Sequence, residues 1–290
     1  MKLFFAGAEA KDVRDMLEEA GVKNILVSYY YVKDRNVDVA ELFQRFDNVV
    51  IDSGAFTLGA GHGQKKKQMA SEIDYDGWID EYLKLLYDWS GRFFWAANLD
   101  LDILLGKGRV KKYNELFEEL EAKVHQRVCY VVHDSIMYKY SHPYQNLYEY
   151  FDRYGMIGVS GDWKGSKSDV AYFQQVYNLS KKYKKFVHGF AMTNFVSFDR
   201  FPFYTCDSTT YLGGAKYGTT YVWNGAYFET WDYTKKYRRK SLKRQCEEWG
   251  IHFTKFCNDD IREVTRFNIR SWLKNEEAFN RKTKHIQWWS

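Results

Sequence analysis

Short β-rich apolar runs alternate with amphipathic helical stretches along nearly the whole chain, and that alternation limits the fold more than any other feature. Leu3-Phe4-Phe5-Ala6-Gly7 reads as a first strand, and Lys11 to Ala20 follows as a helix with Val13, Met16 and Leu17 at helical spacing, stopped by Gly21. The pattern then predicts strands at Asn24 to Tyr31, Asn48 to Asp52, Phe93 to Leu99, Val128 to Val132, Met156 to Val159, Phe186 to Gly189 and Phe203 to Cys206. Helices are predicted between them at Val39 to Phe46, Tyr75 to Trp89, Lys111 to Val124, Asn146 to Tyr154 and Val170 to Tyr183. Eight strands in β-α alternation call for an α/β fold of the closed (β/α)8 type, a TIM barrel, because an open doubly wound sheet usually stops near five or six. A dinucleotide-binding sheet would also need a glycine fingerprint after its first strand, and Gly7-Ala8-Glu9-Ala10 does not supply one.

The 290 residues suit one such barrel as a single domain, about residues 1–230, with a basic, aromatic helical extension over about 231–290. Apolar residues make up 45% and charged residues 28%, a globular balance, and no run approaches the ~18 consecutive apolar residues of a spanning helix. No membrane partner is therefore expected. The opening Met1 to Gly7 is followed at once by Glu9, Lys11 and Asp12, which gives the expectation of a cytoplasmic protein. Four scattered cysteines, Cys129, Cys206, Cys246 and Cys257, argue for a reducing compartment. Cys246, His252 and Cys257 are close in sequence, but three ligands fall short of a structural zinc site, so no metal or other cofactor is expected.

A net charge of +5 and 19% aromatic residues suit a chain that handles bases and phosphates, and they suit a sugar binder as well. The loop containing Lys65, Lys66 and Lys67 and the run from Lys235 through Lys236, Arg238, Arg239 and Lys240 are candidate phosphate contacts. The second run equally suits the solvated face of a last helix. The tail, with Trp272, Trp288 and Trp289, is expected to pack back on the barrel.

Barrel enzymes place reacting groups where strands end, and here those positions are polar: Asp52-Ser53-Gly54, Asp100 and Asp102, His133-Asp134, Ser160-Gly161-Asp162, His188-Gly189 and Asp207-Ser208. Asp134 and Asp162 read as helix N-caps. The acids after strands three, four and eight should converge at one mouth, where crowding separates their pKa values into a proton carrier and a nucleophile. Gly54, Gly161 and Gly189 would let a flat ligand approach the backbone, although tight turns also explain them.

Val50-Ile51-Asp52-Ser53-Gly54-Ala55-Phe56 resembles the Asp-Ser-Gly-Gly-Phe/Tyr signature of the tRNA-guanine transglycosylases. Leu99-Asp100, Gly158-Val159-Ser160-Gly161 and His188-Gly189-Phe190-Ala191 resemble further motifs of that family in order, and Cys206-Asp207-Ser208-Thr209-Thr210-Tyr211 resembles the stretch holding its nucleophile. The resemblance spans about Ile51 to Gly218. The family's zinc-binding cysteine run has no counterpart after Asp207, nor is there an added RNA-binding domain, so the chain looks most like the phage and bacterial branch that inserts 7-deazaguanines into DNA.

The resemblance implies a glycosyltransferase that exchanges guanine in DNA for a free 7-deazaguanine base, with tRNA as the alternative polymer. It implies Asp207 as nucleophile and Asp52 as proton donor. Asp100, or Asp102 in the alternative register, would read the base edge, with Phe56 stacking on it and amides near Ser160 and Gly161 binding its O6. Ser53, Gly54, His133, His188 and Gly189 would line the substrate. A retaining glycoside hydrolase barrel would use the same paired acids about 5 Å apart. A non-catalytic nucleic-acid-binding barrel is the third reading.

Overall fold

A computed structural model of the chain describes residues 1–59, 73–132, 145–160, 167–192, 200–284 and 286. Eight parallel strands close into a barrel in sequence order: β1 (Lys2–Ala6), β2 (Asn24–Ser28), β3 (Asn48–Asp52), β4 (Trp95–Ala97), β5 (Val128–Val132), β6 (Met156–Ser160), β7 (Phe186–Phe190) and β8 (Thr205–Ser208). Alternation along each strand sorts its side chains into two cores. Phe4, Leu26, Val50, Trp95, Cys129 and Met156 fill the interior. Leu3, Phe5, Ile25, Val27, Val49 and Ile51 face the helices and pack with Met16, Leu17 and Leu42. Both faces are buried, which is why the strands read as nearly continuous apolar runs rather than alternating ones.

The helices begin where side chains can cap them. Asp38 accepts from the Ala40 amide, Asp74 from Gly77 and Asp260 from Glu263, each satisfying an otherwise unpaired first-turn donor. Several strand limits differ from the sequence reading. The last three residues of the expected second strand, Tyr29 to Tyr31, instead begin the helix Tyr29–Asp34, because Tyr29 turns under the helix Tyr75–Asp88 to pack on Trp78 and Tyr82 at 5.0 and 4.9 Å. Tertiary packing here overrides β propensity. β4 stops at Ala97, since at Asn98 the side-chain carbonyl, not a ladder carbonyl, takes the Val131 amide at 2.8 Å. β8 runs later than expected, so Asp207 lies within it rather than beyond it.

After β8 the chain forms an antiparallel hairpin that the sequence reading did not foresee, β9 (Thr220–Trp223) with β10 (Phe228–Trp231). Its Asn224-Gly225 turn was the available signal: Asn224 Oδ1 accepts from the Ala226 and Tyr227 amides, and Gly225 has φ +100°. The basic run follows as 3-10 turns over Tyr233–Leu242. The last helix, Ile261–Lys282, then returns to the barrel: Arg270 donates to the Ala20 carbonyl at 3.0 Å, and Glu276 accepts from the Leu3 amide at 2.9 Å. Trp272 is buried there, as expected of the tail, whereas Trp288 and Trp289 lie outside the described residues. Among the described residues no helix is long and apolar enough to cross a membrane.

Arg239, expected as a phosphate contact, is instead a strut of this region and is 0% exposed. Its guanidinium donates to Thr220 Oγ1 at 2.8 Å and to the Phe256 and Gly218 carbonyls at 3.1 and 3.0 Å, and it pairs with Asp259. Arg239→Leu would leave three buried acceptors, Thr220 Oγ1 and the Gly218 and Phe256 carbonyls, without their donor, while half-buried Asp259 keeps Lys236, so a loss of about 3–5 kcal/mol is expected in urea unfolding. A loss below about 1 kcal/mol would show that these contacts do not hold the insert together.

Candidate functional site

The mouth of the barrel gathers the acids of strands three, four and eight, and a fourth from strand one. Asp52 ends β3, Asp207 lies in β8 and Asp100 follows β4. The Asp52 carboxyl is pushed up to about 7, chiefly by burial and next by the charge of Asp100, with Asp207 and Glu9 adding to it, while the Gly54 amide at 3.1 Å pulls it back. Glu9 was not foreseen as a site residue. It is buried three residues past β1, takes the Ser28 amide, and burial raises its pKa. The signal was available, since Glu9 occupies the same post-strand position as the acids that were singled out.

Asp207 is held from two sides. Its Oδ1 accepts from the Ala191 amide at 2.9 Å and lies 3.2 Å from His188 Nε2. His188, expected to line the substrate, is 0% exposed, with Nδ1 2.8 Å from Thr205 Oγ1 and its ring packed between Trp95 and Phe190. It stands behind Asp207, not in the mouth. Burial lowers its pKa, so the ring is neutral around pH 7.

The turn after β3 serves geometry more than contact. Ser53, expected to line the substrate, is wholly buried: its hydroxyl accepts from the Ala55 amide and its carbonyl from Trp78 Nε1. Gly54 has φ +82°, and a Cβ there would sit 2.8 Å from Tyr30 Cβ, so packing against the start of the Tyr29–Asp34 helix requires the glycine. Gly189 likewise gives room to Met192 and Phe203, whose atoms a Cβ would meet at 2.3 and 3.2 Å, rather than to a ligand. Phe56 projects from the same turn at 81% exposure, available as a stacking face.

Burial chiefly raises the pKa of the Tyr150 hydroxyl, and the charges of Asp102 and Asp100 add smaller contributions, so both acids act on the same ring; Asp102 is the first residue of the short helix Asp102–Leu105. Ser160 closes β6 beside Phe190 of β7. His133, Asp134, Gly161, Asp162 and Lys65 to Lys67 lie outside the described residues.

Of the basic run, Lys236 pairs with Asp259 at 2.8 Å, and Arg238 pairs with Glu229 while stacking 4.5 Å over Trp231. Lys235 and Lys240 are exposed. His252 caps the helix Phe253–Cys257 through Nδ1, and Cys246 is buried with its thiol pushed up to about 12, an environment for packing rather than reactivity.

A carboxyl that keeps its proton near neutrality, at one mouth with a second carboxyl held between a backbone amide and a histidine ring, can deliver a proton to a leaving group while the other attacks. No family model matches the chain, and no curated protein matches it in sequence.

The raised pKa of Asp52 also makes a statement about stability. Below about pH 4 both folded and unfolded states hold the proton; between its ordinary 3.8 and about 7 only the folded state does, so stability falls as pH rises across that window. Asp52→Asn should therefore be more stable than wild type at pH 8, with the gain shrinking towards pH 4. Glu276 is also pushed up to about 7 by burial, but it is common to both proteins and cancels in the comparison. A difference in Tm that does not change with pH would contradict the crowding described at the mouth.

Proposed function

We propose that the protein is a transglycosylase that replaces guanine in DNA with a 7-deazaguanine base through a covalent glycosyl intermediate on Asp207. The observation that carries this reading is the pairing at one barrel mouth of Asp52, protonated up to about pH 7, with Asp207, whose carboxylate is fixed by Ala191 and His188. Asp207 attacks C1′ of the nucleotide, the C1′–N9 bond breaks, and its electron pair leaves on guanine, which takes the Asp52 proton. The incoming 7-deazaguanine then gives its N9 proton to Asp52, bonds to C1′ and expels Asp207. The cycle returns both acids to their starting forms without an external reactant.

Asp100 fits the role of reading the N1–H and exocyclic amine of the base, since a carboxylate accepts from both, with Asp102 as the other candidate. Phe56 offers the stacking face. The target base must leave the duplex to reach such a mouth, which favours single-stranded or flipped DNA. Lys235 and Lys240 are exposed and suited to phosphates, and affinity for DNA should fall with salt. DNA is preferred over tRNA because the stretch after Asp207 holds no zinc-binding cysteine run of the kind the tRNA-modifying relatives carry.

The test is incubation of the protein with radiolabelled guanine and, separately, guanine-containing DNA, tRNA and a β-linked polysaccharide. Label should enter DNA, and Asp52→Asn should slow entry by about 100-fold or more. The rate should fall as pH rises through about 7, where Asp52 gives up its proton. Sugar release from the polysaccharide without base exchange would instead establish a glycoside hydrolase, and a rate independent of pH from 6 to 9 would remove Asp52 from the proton transfer.

A further inference from the structure

Three features of the strand pair β7–β8 converge on one oxygen atom. His188 and Thr205 are register partners across this pair, which puts the imidazole Nδ1 2.8 Å from the threonine hydroxyl. The other ring nitrogen, Nε2, is 3.2 Å from Asp207 Oδ1. Ala191, just past β7, adopts φ +51°, a left-handed conformation that a side-chain-bearing residue enters at a cost, and in doing so aims its amide at the same Oδ1 from 2.9 Å. Among the described residues both donors fall on Oδ1 and neither on Oδ2.

We propose that His188 is a positioning residue, held by the Thr205 hydroxyl with its proton on Nε2, which together with the Ala191 amide pins Asp207 Oδ1 and presents Oδ2 as the attacking atom. The carboxylate facing Nε2 selects this division, since a threonine hydroxyl can serve Nδ1 as donor or acceptor while an ionised carboxylate only accepts. A neutral imidazole has one donor and one acceptor nitrogen, so a hydroxyl that donates to Nδ1 leaves the proton on Nε2, facing the carboxylate. The opposite tautomer would set a lone pair against Asp207. Trp95 at 4.5 Å and Phe190 at 4.4 Å wedge the ring, so it cannot rotate away, and complete burial removes water as a competing donor.

Attack then forms the Oδ2–C1′ bond as the C1′–N9 bond breaks, while Oδ1 keeps both of its hydrogen bonds in the ester. Holding one oxygen leaves one orientation for the other, and a carboxylate misplaced by about 1 Å can lose on the order of 100-fold in rate. The role of Oδ2 rests on the transglycosylase reading. The tautomer of His188 does not.

The two are tested apart. Protein labelled with ¹⁵N in histidine, with His188 assigned by its loss in His188→Gln, should give long-range proton–nitrogen correlations of an Nε2–H imidazole at pH 7. An Nδ1–H ring or an imidazolium at that pH overturns the proposal whatever the exchange assay shows. In base exchange, His188→Leu should lower kcat by about 100-fold with KM within about 2-fold, and His188→Gln, which can place an amide donor near the former Nε2, should recover about 10-fold of the loss. Equal losses in both variants, or a loss confined to KM, overturn it.

Should His188→Leu fail to fold, Thr205→Val keeps the bulk and removes only the hydroxyl. It should broaden or split the His188 signal as the second tautomer becomes populated, and lower kcat by about 3-fold to 10-fold; an unchanged tautomer with unchanged kcat overturns the proposal. If the wild type exchanges no base, the transglycosylase reading falls, and the nitrogen shifts still decide whether His188 donates to Asp207.

Discussion

Closure of the sheet between its first and last strands is the constraint on which the rest depends. The ladder that joins Lys2–Phe5 to Thr205–Ser208 brings the two ends of a long chain into register, with Phe4 opposite Asp207. Without that seam Asp207 would sit on an open edge, and the acids of β1, β3 and β8 would not share one mouth. The same seam is buttressed from outside by the last helix, whose Glu276 takes the Leu3 amide and whose Asn268 donates to the carbonyls of Tyr211 and Thr219. Residues far apart in sequence thus support the strand that holds the central carboxylate. The ordering entropy of such distant pairing is offset by the two apolar cores that closure completes.

Below the mouth the interior is apolar and tightly filled, with Trp95, Phe4 and Met156 wholly buried. Four acids collected above such a floor repel one another and lose hydration, a free-energy cost that the fold carries at this end alone. Asp52 relieves part of the repulsion by retaining its proton, and Asp207 is compensated by hydrogen bonds from Ala191 and His188. Unequal compensation makes the carboxyls unequal. That inequality of environment suits one acid to proton delivery and the other to attack.

The sequence made the barrel legible because strands buried on both faces, separated by helices with one apolar stripe, leave a strong periodic trace. The acids at Asp52, Asp100 and Asp207 were legible for a topological reason: in a parallel barrel all strand ends point to one side. What lay behind them was not. His188 looked like a ligand to substrate because its position relative to the strand end was visible, while its contact with Thr205 depends on the register of two neighbouring strands. Arg239 sat in a run of lysines and arginines whose composition says charged surface, and only the Thr220–Trp231 hairpin folding over it turns it into a buried strut. Glu9 was passed over although it obeys the same strand-end rule, and the hairpin although Asn224-Gly225 marks its turn. Ser53 and Gly54 were read as contacts because their motif was recognisable, but the turn itself needs them.

A transglycosylase acting through Asp207 must become covalently attached to sugar at that residue. Excess protein mixed with a guanine-containing oligonucleotide, denatured in acid and digested, can be read by mass spectrometry of its peptides. A mass increase equal to the oligonucleotide less one guanine is predicted on the peptide containing Asp207, absent in Asp207→Asn and chased by added 7-deazaguanine. No adduct with either DNA or tRNA, or an adduct that persists in Asp207→Asn, would contradict it.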